Sequence, residues 1–137
     1  MSPEPPPPPA SPNSKVILVV DDDHSLRGVV KMLLTMEGFQ VVTAVNGNDA
    51  LVQLESNAPD LIITDLMMPG QGGYEFLRQL PGAGAGSLPV IILSGSGLDE
   101  STIAQIRHEA NAADFFKKPV DQRKFVGAVH RLLNTRK

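Results

Sequence analysis

The sequence predicts an α/β fold, a doubly wound parallel sheet of five strands and five helices, and three observations carry that prediction. Short apolar runs of strand length alternate with longer stretches in which apolar residues return at helical spacing. The runs are apolar at nearly every position, as strands covered on both faces must be. The connections are short, and right-handed crossovers then place helices on both faces of the sheet.

Met1 to Ser14 holds seven of the chain's 12 prolines, including Pro5 to Pro9, and reads as a disordered, extended tail or linker, residues 1–14, without tertiary contacts. Linkers and ligands of proline-binding modules share this composition. The domain proper is residues 15–137. Lys15 to Val20 forms the first strand and runs into Asp21-Asp22-Asp23. From Ser25 to Glu37, Leu26, Val29, Val30 and Leu33 recur at helical spacing, and Gly38 supplies the stop. Phe39 to Ala44 is a second strand, and Asn46-Gly47 turns into a helix carrying Ala50, Leu51 and Leu54 that Asn57 and Pro59 end. Leu61, Ile62 and Ile63 make the third, central strand, which delivers Asp65 at its carboxyl end before Pro69-Gly70.

A short helix from about Gly73 to Leu80 stops at Pro81. The following Pro81-Gly-Ala-Gly-Ala-Gly86 is a flexible connector, because a phosphate-cradling loop follows a strand and opens a helix, and this stretch does the reverse. The fourth strand, Val90 to Leu93, ends in Ser94-Gly-Ser-Gly97. A helix anchored by Ile103 and Ile106 reaches Asn111, a left-handed cap. Asp114 to Lys118 is the fifth strand, halted by Pro119, and the last helix, about Gln122 to Asn134, buries Phe125, Val129, Leu132 and Leu133.

Composition bounds the function. A net charge of -3 with scattered Lys and Arg gives no basic face for nucleic acid. The absence of cysteine excludes a disulfide scaffold and thiolate metal sites. No apolar run approaches the ~18 residues of a membrane span, and Met1-Ser-Pro-Glu-Pro lacks the features of a secretory signal, so a cytoplasmic protein is expected.

In a parallel sheet the residues that follow the strands converge on one rim: Asp21 and Asp22, Asp65, Ser94 and Lys118. Three close carboxylates cannot all stay ionised without a compensating cation. A hard divalent ion with oxygen ligands resolves this, and so sparse a site suits Mg²⁺ better than a calcium cage. With no Cys and no His constellation, zinc is disfavoured.

Four segments, Val19-Val-Asp-Asp-Asp23, Asp65-Leu-Met-Met-Pro69, Pro89-Val-Ile-Ile-Leu-Ser94 and Phe116-Lys-Lys-Pro119, together resemble the receiver domain of two-component response regulators, the chemotaxis-regulator-like type, over about residues 15 to 135. The resemblance implies a flavodoxin-like strand order 2-1-3-4-5. It implies that Asp65 takes a phosphoryl group from a sensor histidine kinase or a histidine phosphotransfer protein. Asp22, Asp65 and the backbone carbonyl of Met67 would hold Mg²⁺ directly, and Asp21 through water. Lys118 and Ser94 would bind phosphoryl oxygens, Ser94 and Phe115 would form the switch, and Lys118-Pro119 would be a cis peptide. The output partner stays open, on the face of the fourth helix, fifth strand and fifth helix. Such a domain is no conventional enzyme: it catalyses its own phosphorylation and dephosphorylation. Met67 and Ser96 stand where the family controls hydrolytic water, and neither positions it strongly, so a phosphoryl lifetime of minutes or longer is expected.

The sequence departs from the family at Gly72-Gly73 and at Asn111-Ala112-Ala113. Asp23 reads as a helix cap or a solvated neighbour, His24 as a solvated turn residue, His108 and His130 as surface residues, and Lys117 as pointing away from the site. Other readings are a pseudo-receiver that only docks, or a receiver cut from a hybrid histidine kinase. A haloacid dehalogenase-type phosphatase wants Asp-x-Asp, and Met67 stands in the second place. A flavodoxin-type module wants a phosphate loop where this chain puts three acids.

Overall fold

A computed structural model describes residues 8–66, 73–95, 99–109 and 111–135. Strands β1 (Val16–Val20), β2 (Gln40–Ala44), β3 (Leu61–Asp65), β4 (Val90–Ser94) and β5 (Ala112–Lys117) pair in parallel in the order β2-β1-β3-β4-β5. Between them run α1 (His24–Met36), α2 (Gly47–Asn57), α3 (Gly73–Gln79) and α4 (Glu100–Glu109), and α5 (Gln122–Leu133) closes the domain. The chain passes from β1 to β2 on one side and to β3 on the other. The order therefore reverses at β1, and the crevice beyond the carboxyl ends of β1 and β3 is the topological switch point.

The period of two along each strand splits the core into two layers. Ile17 and Val19, Leu61 and Ile63, and Ile91 and Leu93 face Val30 and Leu34 of α1 and Phe125 and Val129 of α5. Leu18, Val20, Ile62, Val90 and Ile92 face Ala50 of α2, Phe76 and Leu77 of α3 and Ile106 of α4. Each fully buried side chain of this size contributes about 1.5–3 kcal/mol. Together the two layers hold the strand ends in register.

Helix ends follow local chemistry. The Asp23 carboxylate accepts the N–H groups of Ser25 and Leu26 and starts α1. Gly38, at φ +101, ends it with a conformation that disfavours any side chain, and a Cβ there would lie 3.3 Å from Pro12 Cβ. Helix α2 ends at Ala58, at φ 44, immediately before Pro59.

Four expectations need correction. β5 begins at Ala112: Val90 pairs with Ala112 but Ile91 with Asp114, so one extra residue lengthens the strand. Asn111 is no left-handed cap; among described non-glycine residues only Ala58 and Asn134 have positive φ. Its carbonyl accepts the Val90 N–H at 2.9 Å and its Nδ2 donates to the Ser87 carbonyl at 3.0 Å. The tail does make tertiary contacts from Ala10 onward. Ala10 donates its N–H to the Asn134 carbonyl at 2.8 Å and bridges Thr135, Pro12–Ser14 forms one 3-10 turn, and Gln40 Nε2 donates to the Asn13 carbonyl at 2.8 Å. The terminal carbonyls of α5 offer the tail an acceptor that composition does not reveal.

His130 is the fourth. It is buried, with Nδ1 2.7 Å from Thr135 Oγ1, Nε2 2.7 Å from Glu37 Oε1 and its ring 5.0 Å from that of Phe39. It lies four residues after Val126 and three before Leu133, on the buried stripe of α5.

Candidate functional site

The sheet delivers the site residues from consecutive positions of the rim. Asp21 follows β1, Asp65 ends β3, Ser94 ends β4 and Lys118 follows β5. The pairings Val20 with Thr64, Asp65 with Leu93, and Ser94 with Lys117 set these tips side by side. Asp21, Asp22 and Asp65 each bring one carboxylate oxygen to within 4.8 Å of the others. Asp21 and Asp65 are buried and Asp22 is exposed, so the cluster opens to solvent on the Asp22 side.

Lys118 reaches into this cluster from the far strand. Its Nζ lies 3.1 Å from Asp21 Oδ2 and 3.2 Å from Asp65 Oδ2. Its backbone is tied down as well: the Lys118 N–H donates to the Ser94 carbonyl at 2.8 Å, and the Lys118-Pro119 peptide is cis. Ser94 itself is buried at the same rim.

Burial pushes the Asp21 carboxyl above its ordinary range; the Asp23 N–H and Lys118 pull it back in part, and the charge of Asp65 adds to the rise. Burial works to lower the Lys118 ammonium, but Asp21 and Asp65 outweigh it and hold the proton more firmly than usual. The Lys118 shift reports the negative charge around it, whereas that of Asp21 comes first from burial. Three carboxylates crowd around the Lys118 ammonium, with the Arg27 guanidinium beside the Asp21 carbonyl. The donor set is hard oxygen, closely spaced and open on one side, which fits a small divalent cation that keeps some of its waters.

Asp21 is fixed on every polar atom. Its N–H donates to the Ala44 carbonyl at 3.1 Å, its carbonyl accepts Arg27 Nη1 at 2.7 Å, its Oδ1 accepts the Asp23 N–H at 2.9 Å, and its Oδ2 faces Lys118. Arg27 is the residue that sequence reasoning missed. Six positions on and one turn into α1, it leaves no local pattern that distinguishes it from a solvated helix arginine.

Of the remaining expected residues, Asp23 caps α1, and Lys117 is exposed. Phe115 packs toward the α4 side of the sheet, with the Arg107 guanidinium 5.3 Å from its ring centre, while Phe116 packs on the other face edge-to-face with Phe125. Met67 and Ser96 lie outside the described residues. A groove of about 710 Å³ between α2 and α3, lined by Leu51, Leu54, Glu55, Arg78 and Gln79, involves none of Asp21, Asp22 and Asp65.

Comparison with known proteins points to one family. The family model described as "Response regulator receiver domain" matches residues 17–130. The chain is 35% identical over 101 residues to the transcriptional regulatory protein AfsQ1 of Streptomyces coelicolor, covering 74% of this chain but only 43% of that protein. A response regulator receiver protein from Pseudomonas putida superposes with a TM-score of 0.79 at 29% identity, covering 89% of this chain and 98% of that one. The signal receiver domain of a signal transduction histidine kinase from Syntrophus aciditrophicus superposes at 0.75 with 33% identity, covering 87% and 89%.

Proposed function

The chain belongs to the response regulator receiver domain family, and from that premise we propose that it is a phosphoacceptor switch whose nucleophile is Asp65. The donor is a phosphohistidine on a sensor histidine kinase or a histidine phosphotransfer protein. An Asp65 carboxylate oxygen attacks phosphorus as the phosphorus–nitrogen bond breaks, and the departing imidazole keeps the electron pair. An ionised carboxylate needs no general base for this.

Asp22, Asp65 and the Met67 carbonyl would hold Mg²⁺, with Asp21 contributing through water. When bound, the ion orients the phosphoryl group and neutralises charge on its oxygens. Lys118, shared before reaction between Asp21 and Asp65, turns one of its donors to a phosphoryl oxygen. Ser94 donates its hydroxyl to another, and the space it leaves lets the Phe115 ring turn inward, which changes the α4-β5-α5 face that an output partner reads. We place the protein in the cytoplasm; among the described residues no helix is long and apolar enough to cross a membrane. Contact with nucleic acid is no part of this reading, and what the whole of AfsQ1 does as a transcriptional regulatory protein belongs to that longer chain.

The observation that carries the reading is the joining of Asp21, Asp22, Asp65 and Lys118 on one rim, with Lys118 3.1 and 3.2 Å from two of the acids. The experiment is incubation with Mg²⁺ and acetyl phosphate or phosphoramidate, followed by intact mass. One phosphoryl group should add to the wild type and none to Asp65→Asn, and a beryllium fluoride complex should produce the same conformational shift without turnover. Uptake that survives Asp65→Asn would place the acceptor elsewhere. A wild type that takes up nothing would favour the docking-only pseudo-receiver.

A further inference from the structure

We infer that Arg27 is a positioning residue for the metal-binding acids, acting on the one peptide unit that joins Asp21 to Asp22. This rests on the Mg²⁺ reading above. The Asp21 carbonyl belongs to the peptide bond between the two acids, and Arg27 Nη1 donates to it at 2.7 Å in a partly buried setting. On the other side of Asp21, the backbone N–H is held by the Ala44 carbonyl at 3.1 Å. With that side fixed, the rotation left to the Asp21–Asp22 peptide is set by what holds its carbonyl. That rotation decides where the exposed Asp22 carboxylate points.

Arg27 is itself preorganised. Its backbone N–H donates to the Asp23 carbonyl at 2.9 Å in the first turn of α1, below the Asp23 cap. Its second terminal nitrogen, Nη2, lies 3.1 Å from His24 Nδ1. A guanidinium only donates, so the His24 Nδ1 is the acceptor in this contact. The planar fork thus spans two acceptors at once, a geometry that an ammonium cannot copy.

Two physical effects of Arg27 on a bound cation have opposite signs. As a positive charge near the rim it repels Mg²⁺, and removing it would tighten binding. As the clamp on the Asp21–Asp22 peptide it prearranges two ligands, and removing it would loosen binding. The 2.7 Å contact and the double anchorage of the guanidinium make the second effect the larger.

The test is an amide NMR titration of the full chain with Mg²⁺, following Asp21 to Asp23 and Asp65, in wild type, Arg27→Ala, Arg27→Gln, Arg27→Lys, Lys31→Ala and Asp22→Asn. Arg27→Ala should raise the Mg²⁺ midpoint roughly tenfold, the low end of the range for groups that orient ligands. Arg27→Lys should recover part of the loss. Lys31, an exposed cation one turn farther along α1, controls for charge alone, and Lys31→Ala should leave the midpoint unchanged or slightly lower. At saturating Mg²⁺, phosphoryl uptake by Arg27→Ala should return to the wild-type rate, because the arginine acts through the acids. A midpoint for Arg27→Ala equal to or below that of the wild type overturns the inference. If Arg27→Ala does not fold, the order wild type, Arg27→Lys, Arg27→Gln in rising midpoint decides the matter in the same way. Should Asp22→Asn respond to Mg²⁺ as the wild type does, or the wild type not respond at all, the metal reading fails and Arg27 loses its role with it.

Discussion

The two ends of the sheet each carry a buried polar cluster, and they are built on opposite principles. At the carboxyl ends of the strands, Asp21, Asp22 and Asp65 bring like charges together around Lys118. At the other end, His130 is met on both ring nitrogens, by Thr135 Oγ1 and by Glu37 Oε1, each at 2.7 Å. Both ring nitrogens thus have a polar partner inside the fold. The first cluster gathers like charge that a bound cation would balance. The second is complete, and its work is to join α1, α5 and the tail.

That contrast can be tested by substitution, and the largest effect belongs to the satisfied end. His130→Ala opens a cavity beneath Phe39 and strips Thr135 and Glu37 of their partner, so urea unfolding should show a loss of about 3 kcal/mol. Phosphoryl uptake by the folded fraction should be unaffected. A loss below about 1 kcal/mol would mean that the network is no more than a surface contact.

Next in size, a chain begun at Lys15 loses the Ala10 and Asn13 hydrogen bonds and the packing of Pro12 on Gly38, and should unfold with about 1–2 kcal/mol less stability. Its Mg²⁺ midpoint should match that of the full chain. An unchanged denaturation curve would return the tail to the role of a plain linker.

At the rim the sign reverses. Asp22→Asn removes one of three like charges and should stabilise the metal-free protein by about 0.5 kcal/mol, an effect that added salt should shrink. Saturating Mg²⁺ should turn the same substitution into a destabilising one, because only the wild type gains the energy of binding. Thermal melts with and without Mg²⁺ check both halves.

The smallest effect is a pH dependence. Burial raises the folded-state pKa of Asp21, so the native protein holds that proton more tightly than the unfolded chain does. The resulting stability is complete below the ordinary carboxylate value of 3.8 and is lost as pH climbs through the higher folded value. Melting temperatures of metal-free protein between about pH 3 and pH 6 should show this limb, and Asp21→Asn should flatten it. Equal slopes in the two proteins would assign the limb to other carboxylates.

The acidic end was the more legible in the sequence. Apolar runs such as Leu61 to Ile63 announce strands by composition alone, and a carboxylate placed straight after a buried strand stands out locally. Parallel topology then brings Asp21, Asp65, Ser94 and Lys118 together without any knowledge of side-chain contacts. The satisfied end depends on pairings between distant parts of the chain, His130 with Glu37 and Ala10 with Asn134, for which no local pattern exists. One signal was available: His130 falls on the apolar stripe between Val126 and Leu133, where a solvated side chain has no place. Arg27 gave none, because it reaches back past the start of its own helix to the Asp21 carbonyl. The β5 start was hidden for a similar reason, since the extra residue between Ala112 and Asp114 interrupts the pairing that would mark it.

The bridge between Ala10 and Thr135 also means that the first and last described parts of the chain meet at one point, on the side of the sheet away from the acids. A short glycine link could close them into a ring, and the chain could be reopened within the turns at 82–84, which are exposed and lie outside both core layers. Such a circular permutant would retain the acidic rim while placing its new ends beside the groove between α2 and α3.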